Sequence, residues 1–563
     1  MLSNYKFKLY YNVGGIGKIS SENPDDFDVS VFDDGVRLKI TLLPKKPLEL
    51  VWAEIKCKYN YQDDCRVFVN GYQSWSESRE YLKGEKLVGL PGIGKWKIAR
   101  KYTTISGDYH IKDYPNLANR FHGYTFGYVR NGSQVDFVGS LSEREGYTVI
   151  NYNLNENSLV IEKDVEGKTV SESYVLFDII RISDTYDRVF DTYFEKMGIT
   201  PPKMQRMCGY TTWYNYYNKI TEKIVLRDLE AFDAVKEKVD VFQIDDGYQT
   251  AVGDWLSVDK VKFPSGMKAV AGAIHQKGYK AGIWLAPLNA QKNSVVAKTH
   301  PDWLIKGDNG KPILTCVGWG GAYALDIENE ECRAYIRHFF DVILSEWGFD
   351  MVKLDFLYSA ARMARNNKTH GQLMCEAMDF LRECVGDKLI LGCGVPLGPS
   401  FGKVDMCRIG SDAEIQFKDR FYVHFTNREI ISTKTALKNT MFRRCLNHRV
   451  FLNDPDVFFF RNTKRAPIGG EKAKRLKYTE QQKQLLAEVC SMFGSVLFTS
   501  DSVAEYDENQ IKSLLNTYAA KDRTDVTVDY VGGDVAVVDY SEGGKRIEWT
   551  INMATGENSK RQI

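Results

Sequence analysis

Eight short apolar segments, each closing on polar or glycine-rich residues, recur between residues 207 and 501 and limit the fold more than any other feature. They are MCGYTTWY (207–214), DVFQIDDGY (240–248), YKAGIWLAP (279–287), DMVKLDF (350–356), KLILGCG (388–394), VDMCRIGSD (404–412), RVFLNDPD (449–456) and GSVLFTSD (494–501). Helical patterns lie between several of them. In TEKIVLRDLEAFDAVKEK (221–238), Ile224, Leu229, Phe232 and Val235 share a broad helical face, and NEECRAYIRHFFDVILSEWG (329–348) is a second such stretch. Alternating β and α units imply a parallel sheet, and eight units fit a closed (β/α)8 TIM barrel of about 250 residues. The link from the fifth strand to the sixth, VPLGPSFGK (395–403), is too short and too rich in Pro and Gly for a helix, so the barrel is expected to be irregular there.

A barrel leaves room in 563 residues for further domains. Ahead of TPPK (200–203), whose proline pair marks a linker, the pattern is all-β. Runs such as VRLKITLL (36–43), RVFVNG (66–71), SLVIEKD (158–164) and YVLFDIIRI (174–182) are separated by turn residues and read as a β-sandwich. The last stretch, DVTVDYVGGDVAVVDYSEGGKRIEWTINMA (525–554), alternates again and reads as a small antiparallel β domain. The expected organisation is an N-terminal β-sandwich over 1–195, a catalytic (β/α)8 barrel over 196–520 and a C-terminal antiparallel β domain over 521–563.

Charge and cysteine usage narrow the function classes. Lys and Arg number 75 against 74 Asp and Glu, which gives no support to a nucleic-acid or anionic-membrane partner. No run of eighteen apolar residues is present, so no membrane span is expected. MLSNYKFKLYYN lacks the apolar core of a signal peptide, and the eleven cysteines are scattered with none in CxxC. A soluble protein of a reducing compartment, the cytoplasm, is the expectation.

Within DMVKLDF, Lys353 and Asp355 alternate with Val352, Leu354 and Phe356 and so share one face of a strand. Charges in a core strand need partners. Barrel enzymes build their sites at the C-terminal ends of strands. Those ends carry Trp213 and Tyr214, Asp245 and Asp246, Trp284, Lys353 and Asp355, Cys393, Arg408 and Asp412, and Asp454 and Asp456. Taken singly, an aspartate after a strand is often a helix cap, and Asp454, Asp456 and Asp501 are read that way. The others together read as a site. Two carboxylates facing each other over an aromatic pocket are the equipment of glycoside hydrolysis, one attacking the anomeric carbon and one protonating the leaving oxygen. Lys353 beside Asp355 is expected to favour the ionised, attacking form.

Seven blocks in order, NGYQSWSES (70–78), QIDDGYQ (243–249), AGIWLAP (281–287), KLDF (353–356), LGCGVPLGP (391–399), RIGSD (408–412) and FLNDPD (451–456), resemble the α-galactosidases of glycoside hydrolase family 36. The resemblance implies the same three-domain layout and a retaining mechanism through a covalent glycosyl-enzyme, with no metal and no cofactor. It implies Asp355 as nucleophile and Asp412 as general acid/base. Asp245 and Asp246 would hold galactose hydroxyls, with Lys353 and Arg408 lining the pocket. Trp213 and Trp284 would form its walls, Trp75 would reach the barrel mouth from the sandwich, and Cys393 would lie near the sugar 2-position. After Trp284 the chain reads LAP (285–287), as in the shorter bacterial and archaeal members, where larger members carry a glutamate. Glu414 is a rival proton donor. The substrate implied is an oligosaccharide or other galactoside, and a homo-oligomer stays open. The competing readings are an α-N-acetylgalactosaminidase, an α-galactosyl transferase on the same scaffold, a Mg²⁺-dependent barrel lyase or isomerase using Asp245 and Asp355, and a non-catalytic sugar-binding protein.

Overall fold

The computed structural model describes residues 4–20, 25–90, 100, 102–421, 423, 428–461 and 476–563. The alternating N-terminal runs form two antiparallel sheets. The six-stranded sheet is ordered Ile16–Ser20, Lys6–Val13, Leu48–Lys58, Ser158–Val170, Thr148–Asn153, Arg120–Tyr124. The seven-stranded sheet is ordered Phe27–Asp33, Arg37–Pro44, Tyr174–Thr185, Gln134–Ser140, Phe126–Asn131, Arg66–Val69, Arg79–Tyr81. The inward residues of both, among them Leu9, Leu38, Ile40, Ile55, Val67, Ile161 and Ile179, pack into one core. This is the period-2 burial expected of a sandwich.

All eight predicted barrel strands are present and parallel. They are Met207–Thr211, Val241–Ile244, Lys280–Leu285, Met351–Leu354, Leu389–Gly392, Met406–Arg408, Leu452–Asp454 and Val496–Thr499, each paired with its neighbour from first to seventh, and the eighth with the first. The seventh strand is broken at Pro455. Its first half pairs with the sixth strand, and its continuation, Val457–Phe458, pairs with the eighth and closes the ring. Asp456 stands in the break with φ +81°, a left-handed conformation that costs a non-glycine residue about 1–3 kcal/mol.

The helical stretches form with the expected caps. Glu222–Ala231 starts at Thr221, whose side chain accepts from Ile224 N, and tightens into a 3₁₀ segment over Phe232–Lys238. Glu330–Asp341 starts at Asn329, which accepts from Glu331 N and Cys332 N. The fifth-to-sixth link does contain one helical turn, Leu397–Ser400, where the composition predicts none. The sandwich takes the place of a full helix there. Phe401 packs on Phe126 and Phe194, and a Cβ at Gly398 would meet Thr125 Oγ1 at 2.8 Å. The glycine lets the two domains approach.

Between the third and fourth strands the chain makes a small antiparallel sheet of Asn289–Gln291, Ala322–Ala324 and Leu314–Cys316, which the sequence pattern does not reveal. The C-terminal strands Arg523–Gly532, Val535–Glu542, Lys545–Asn552 and Asn558–Gln562 form an antiparallel meander. Ion pairs Arg130–Asp529 and Lys438–Asp534 tie it to the sandwich and the barrel. No helix among the described residues is long and apolar enough to cross a membrane.

Candidate active site

The fourth strand delivers Lys353 and Asp355 to the barrel mouth, both buried. They share a face as expected, but Lys353 does not pair with Asp355. Its ammonium donates to Asp245 Oδ2 at 2.9 Å, across from the end of the second strand. Gln243 Nε2 (2.9 Å) and Thr211 Oγ1 (3.3 Å) donate to the same oxygen, and Asp246 N donates to Asp245 Oδ1 at 2.9 Å. Burial alone would lower the Lys353 pKa, but Asp245, with help from Asp355, holds it above its ordinary value.

Asp355 is fixed by two donors, Trp284 Nε1 at 3.1 Å and Phe356 N at 2.8 Å. Phe356 itself takes φ +55°, so the backbone is strained immediately after the carboxylate. Burial raises the Asp355 pKa. Lys353, the Trp284 hydrogen bond and the Cys393 thiol pull it down, Asp412 pushes it up, and the net shift is upward. Lys353 favours the ionised form as expected, but its ammonium is bonded to Asp245 and desolvation outweighs its pull on Asp355.

Asp246, also buried, accepts from Gln249 Nε2 at 2.6 Å and Trp319 Nε1 at 2.9 Å. Burial raises its pKa against those two bonds. Trp319 rides on the insertion between strands three and four with φ +56°, and its ring meets Trp284 and Phe356 at centroid distances of 5.9 and 5.0 Å. Sequence reasoning missed it. The signal was GWGG (318–321), an aromatic set among glycines in a loop.

Trp75 enters from the sandwich as predicted. Its Nε1 donates to Cys393 Sγ at 3.3 Å, and its ring packs edge-on against Phe356 and Tyr358. Gly394 beneath it has φ +56°, and a Cβ there would meet Trp75 Cζ2 at 2.8 Å. The loop is held by Arg443, fully buried, which donates to the carbonyls of Ser74, Gln73, Gly71 and Ile409 and to Asn70 Oδ1. Burial among neutral acceptors brings its pKa down to about 9.

On the far side, Arg408 Nη2 donates to Asp412 Oδ1 at 2.7 Å and lies 3.1 Å from Asp456 Oδ2. Asp456 Oδ2 also accepts from Ala413 N at 2.6 Å and from the Tyr214 hydroxyl. Burial drives Asp456 up to about 7 against the pull of Arg408. The reading of Asp454 and Asp456 as helix caps is corrected, because a strand follows them and Asp454 Oδ1 accepts from Asp456 N. Asp501 caps no helix either. It accepts from Phe460 N, Arg461 N and the Tyr506 hydroxyl and so ties the eighth strand to the end of the seventh. Glu414 is gripped by Arg420 at 2.9 and 3.1 Å and by its neighbour Ile415 N. Trp213 packs on Tyr217, which feels the charges of Glu414 and Asp412. The mouth thus gathers two separately wired carboxylates, Asp355 and Asp412, among Trp75, Trp284 and Trp319.

Comparison with known proteins places this geometry. Residues 210–377 match the Melibiase family model. The bifunctional alpha-galactosidase/sucrose kinase AgaSK of Mediterraneibacter gnavus is 27% identical over 199 residues, 34% of this chain and 20% of that protein. The A type blood alpha-D-galactosamine galactosaminidase of Flavonifractor plautii is 23% identical over 253 residues, 41% of this chain and 23% of that protein. The match spans about a fifth of the length of these curated relatives. TtGalA, the alpha-galactosidase from Thermus thermophilus solved with p-nitrophenyl alpha-D-galactopyranoside, has a TM-score of 0.69 at 23% identity and covers 96% of this chain and 98% of that one. The GH36 alpha-galactosidase AgaA from Geobacillus stearothermophilus has a TM-score of 0.60 at 12% identity, covering 97% and 80%. The fold is a sandwich-bearing (β/α)8 barrel, and its residues 210–377 are similar to the Melibiase family. The chain is similar in sequence to alpha-galactosidases over part of its length and shares its fold with solved GH36 alpha-galactosidases.

Proposed function

We propose that this protein is a retaining, exo-acting α-galactosidase acting on terminal α-galactosyl residues of oligosaccharides in a reducing, cytoplasmic compartment. One observation carries the reading: Asp355 is anchored by Trp284 and Phe356 while Asp412 is anchored by Arg408, so two carboxylates with different wiring meet at one barrel mouth. Asp355 attacks the anomeric carbon, and Asp412 gives its proton to the departing oxygen. Water then cleaves the resulting β-glycosyl ester, with Asp412 taking the proton back. Asp246, whose hydrogen-bond donors Gln249 and Trp319 are both neutral, receives the axial 4-hydroxyl or the 6-hydroxyl. Asp245 offers less, because three donors occupy its Oδ2. Its main part is to hold Lys353. That ammonium is bonded to Asp245 and its charge also reaches Asp355, which argues against a lyase-type Mg²⁺ held by the same two carboxylates. Trp75 Nε1 lies 3.3 Å from Cys393 Sγ, the residue that the family resemblance puts near the sugar 2-position, and that contact supports galactose over N-acetylgalactosamine.

The test is a panel of p-nitrophenyl glycosides with and without EDTA. The α-galactoside should be preferred over the α-glucoside by about 10⁴-fold, the discrimination available to a site built around a hydroxyl. EDTA should leave the rate unchanged. Comparable cleavage of the α-glucoside, or loss of rate with EDTA, contradicts the proposal.

A further inference from the structure

A cleft of about 620 Å³ lies on the sandwich, and among the described residues only sandwich residues line it. Its floor is the outward face of the six-stranded sheet. Lys8, Glu54 and Glu162 form one row across three strands, and Lys56, Val160 and Asn151 the next. The segment 111–115 forms a wall.

Trp52 reaches this face through a local departure from alternation. Tyr11 faces Leu50 and Tyr10 faces Trp52, so Val51 is an extra residue in the strand. Strict alternation from buried Leu50 would carry Trp52 into the sandwich core. The bulge turns it outward, half-buried, while Ala53 and Ile55 stay inside. Bulges commonly re-aim a side chain in this way.

The lining chemistry selects against ions. Four basic and four acidic side chains line the cleft, His122 aside. Most are in ion pairs, as Lys8–Glu54, Lys112–Glu162 and Arg120–Glu156. A net charge on the ligand would find no field to favour it. Paired charges set donors beside acceptors, which suits vicinal hydroxyls. Arg120 Nε and Ser158 Oγ are buried with no protein partner and add polar groups for a ligand or water to satisfy. An indole supplies apolar area with a rigid shape. We infer that this cleft binds a neutral oligosaccharide, independently of what the barrel hydrolyses.

The test is hydrogen–deuterium exchange of the full chain carrying Asp355→Asn, with and without stachyose. Slowed exchange is expected in 111–115 and in the strands bearing Trp52 and Asn151, apart from any protection of the barrel loops. Trp52→Ala in the same background should weaken the cleft response by about tenfold or more in stachyose concentration, the effect of truncating a central aromatic anchor, and leave barrel protection alone. A sulfated oligosaccharide should protect nothing in the cleft. No cleft protection, protection unchanged by Trp52→Ala, or equal protection by the sulfated sugar would overturn the inference. Cleft protection without barrel protection would count against the proposed activity instead.

Discussion

Lys353 and Asp245 form a buried ion pair that spans the barrel mouth from the fourth strand to the second, at 2.9 Å, while Asp355 two residues away takes its hydrogen bonds from Trp284 and its own neighbour. The pair separates two jobs that the KLDF segment alone would assign to one contact. Lys353 organises the floor, and Asp355 stays free of a direct salt bridge.

The separation has a measurable consequence. Asp245→Asn should leave a buried ammonium without its main partner and cost about 3–5 kcal/mol of stability. Pairing it with Lys353→Met should recover part of that stability but none of the activity, because the floor of the sugar pocket is lost in both. Urea unfolding and kcat/KM on the single and double variants check this. A double variant no more stable than Asp245→Asn would show that the pair is not coupled.

Asp412 and Glu414 make opposite predictions. Asp412→Ala should slow substrates with poor leaving groups by about 10²–10⁴-fold and aryl galactosides far less, since general acid help matters least where the aglycone departs unaided. Glu414→Gln should be mild, because Arg420 already holds that carboxylate. Rates across a series of aglycones decide between them, and leaving-group dependence in Glu414→Gln would reverse the assignment.

Asp456 gives the protein a pH-dependent stability term. Its ordinary value near 3.8 is raised to about 7 by burial, so the folded state binds its proton more tightly than the unfolded state does. Stability from this group is therefore fully present below about pH 4 and is lost as pH rises toward 7. Asp456→Asn removes the term and should gain on the wild type as pH rises from 4 to 8. Melting curves at several pH values test this. A difference that stays constant with pH would place the strain elsewhere.

Much of this architecture is legible in the chain. The eight strands announce themselves because each is a short apolar run ending where the site begins, and the residues at those ends, from Asp245 to Asp412, do gather at one mouth. What the pattern hides is pairing. A strand's alternation says that Lys353 and Asp355 share a face, but not which of them an aspartate 108 residues earlier will meet. Trp319 escapes for a different reason: it sits in a non-periodic insertion whose small sheet is shaped by tertiary contacts. Asp456 reads as a cap in the sequence because its break in the seventh strand depends on Pro455 and on Arg408 arriving from the sixth. The one-turn helix after Pro396 forms because the sandwich covers it, which no local signal records.

The central claim is that Asp355 forms the covalent bond to the sugar. The most direct measurement is the turnover of an aryl α-galactoside by Asp355→Gly in the presence of azide. The proposed mechanism predicts no measurable turnover without azide, and with it a partial return of rate giving the β-galactosyl azide, because the anion enters the face that the carboxylate vacated. An α-galactosyl azide, or a glycine variant that keeps near-normal activity unaided, would contradict it.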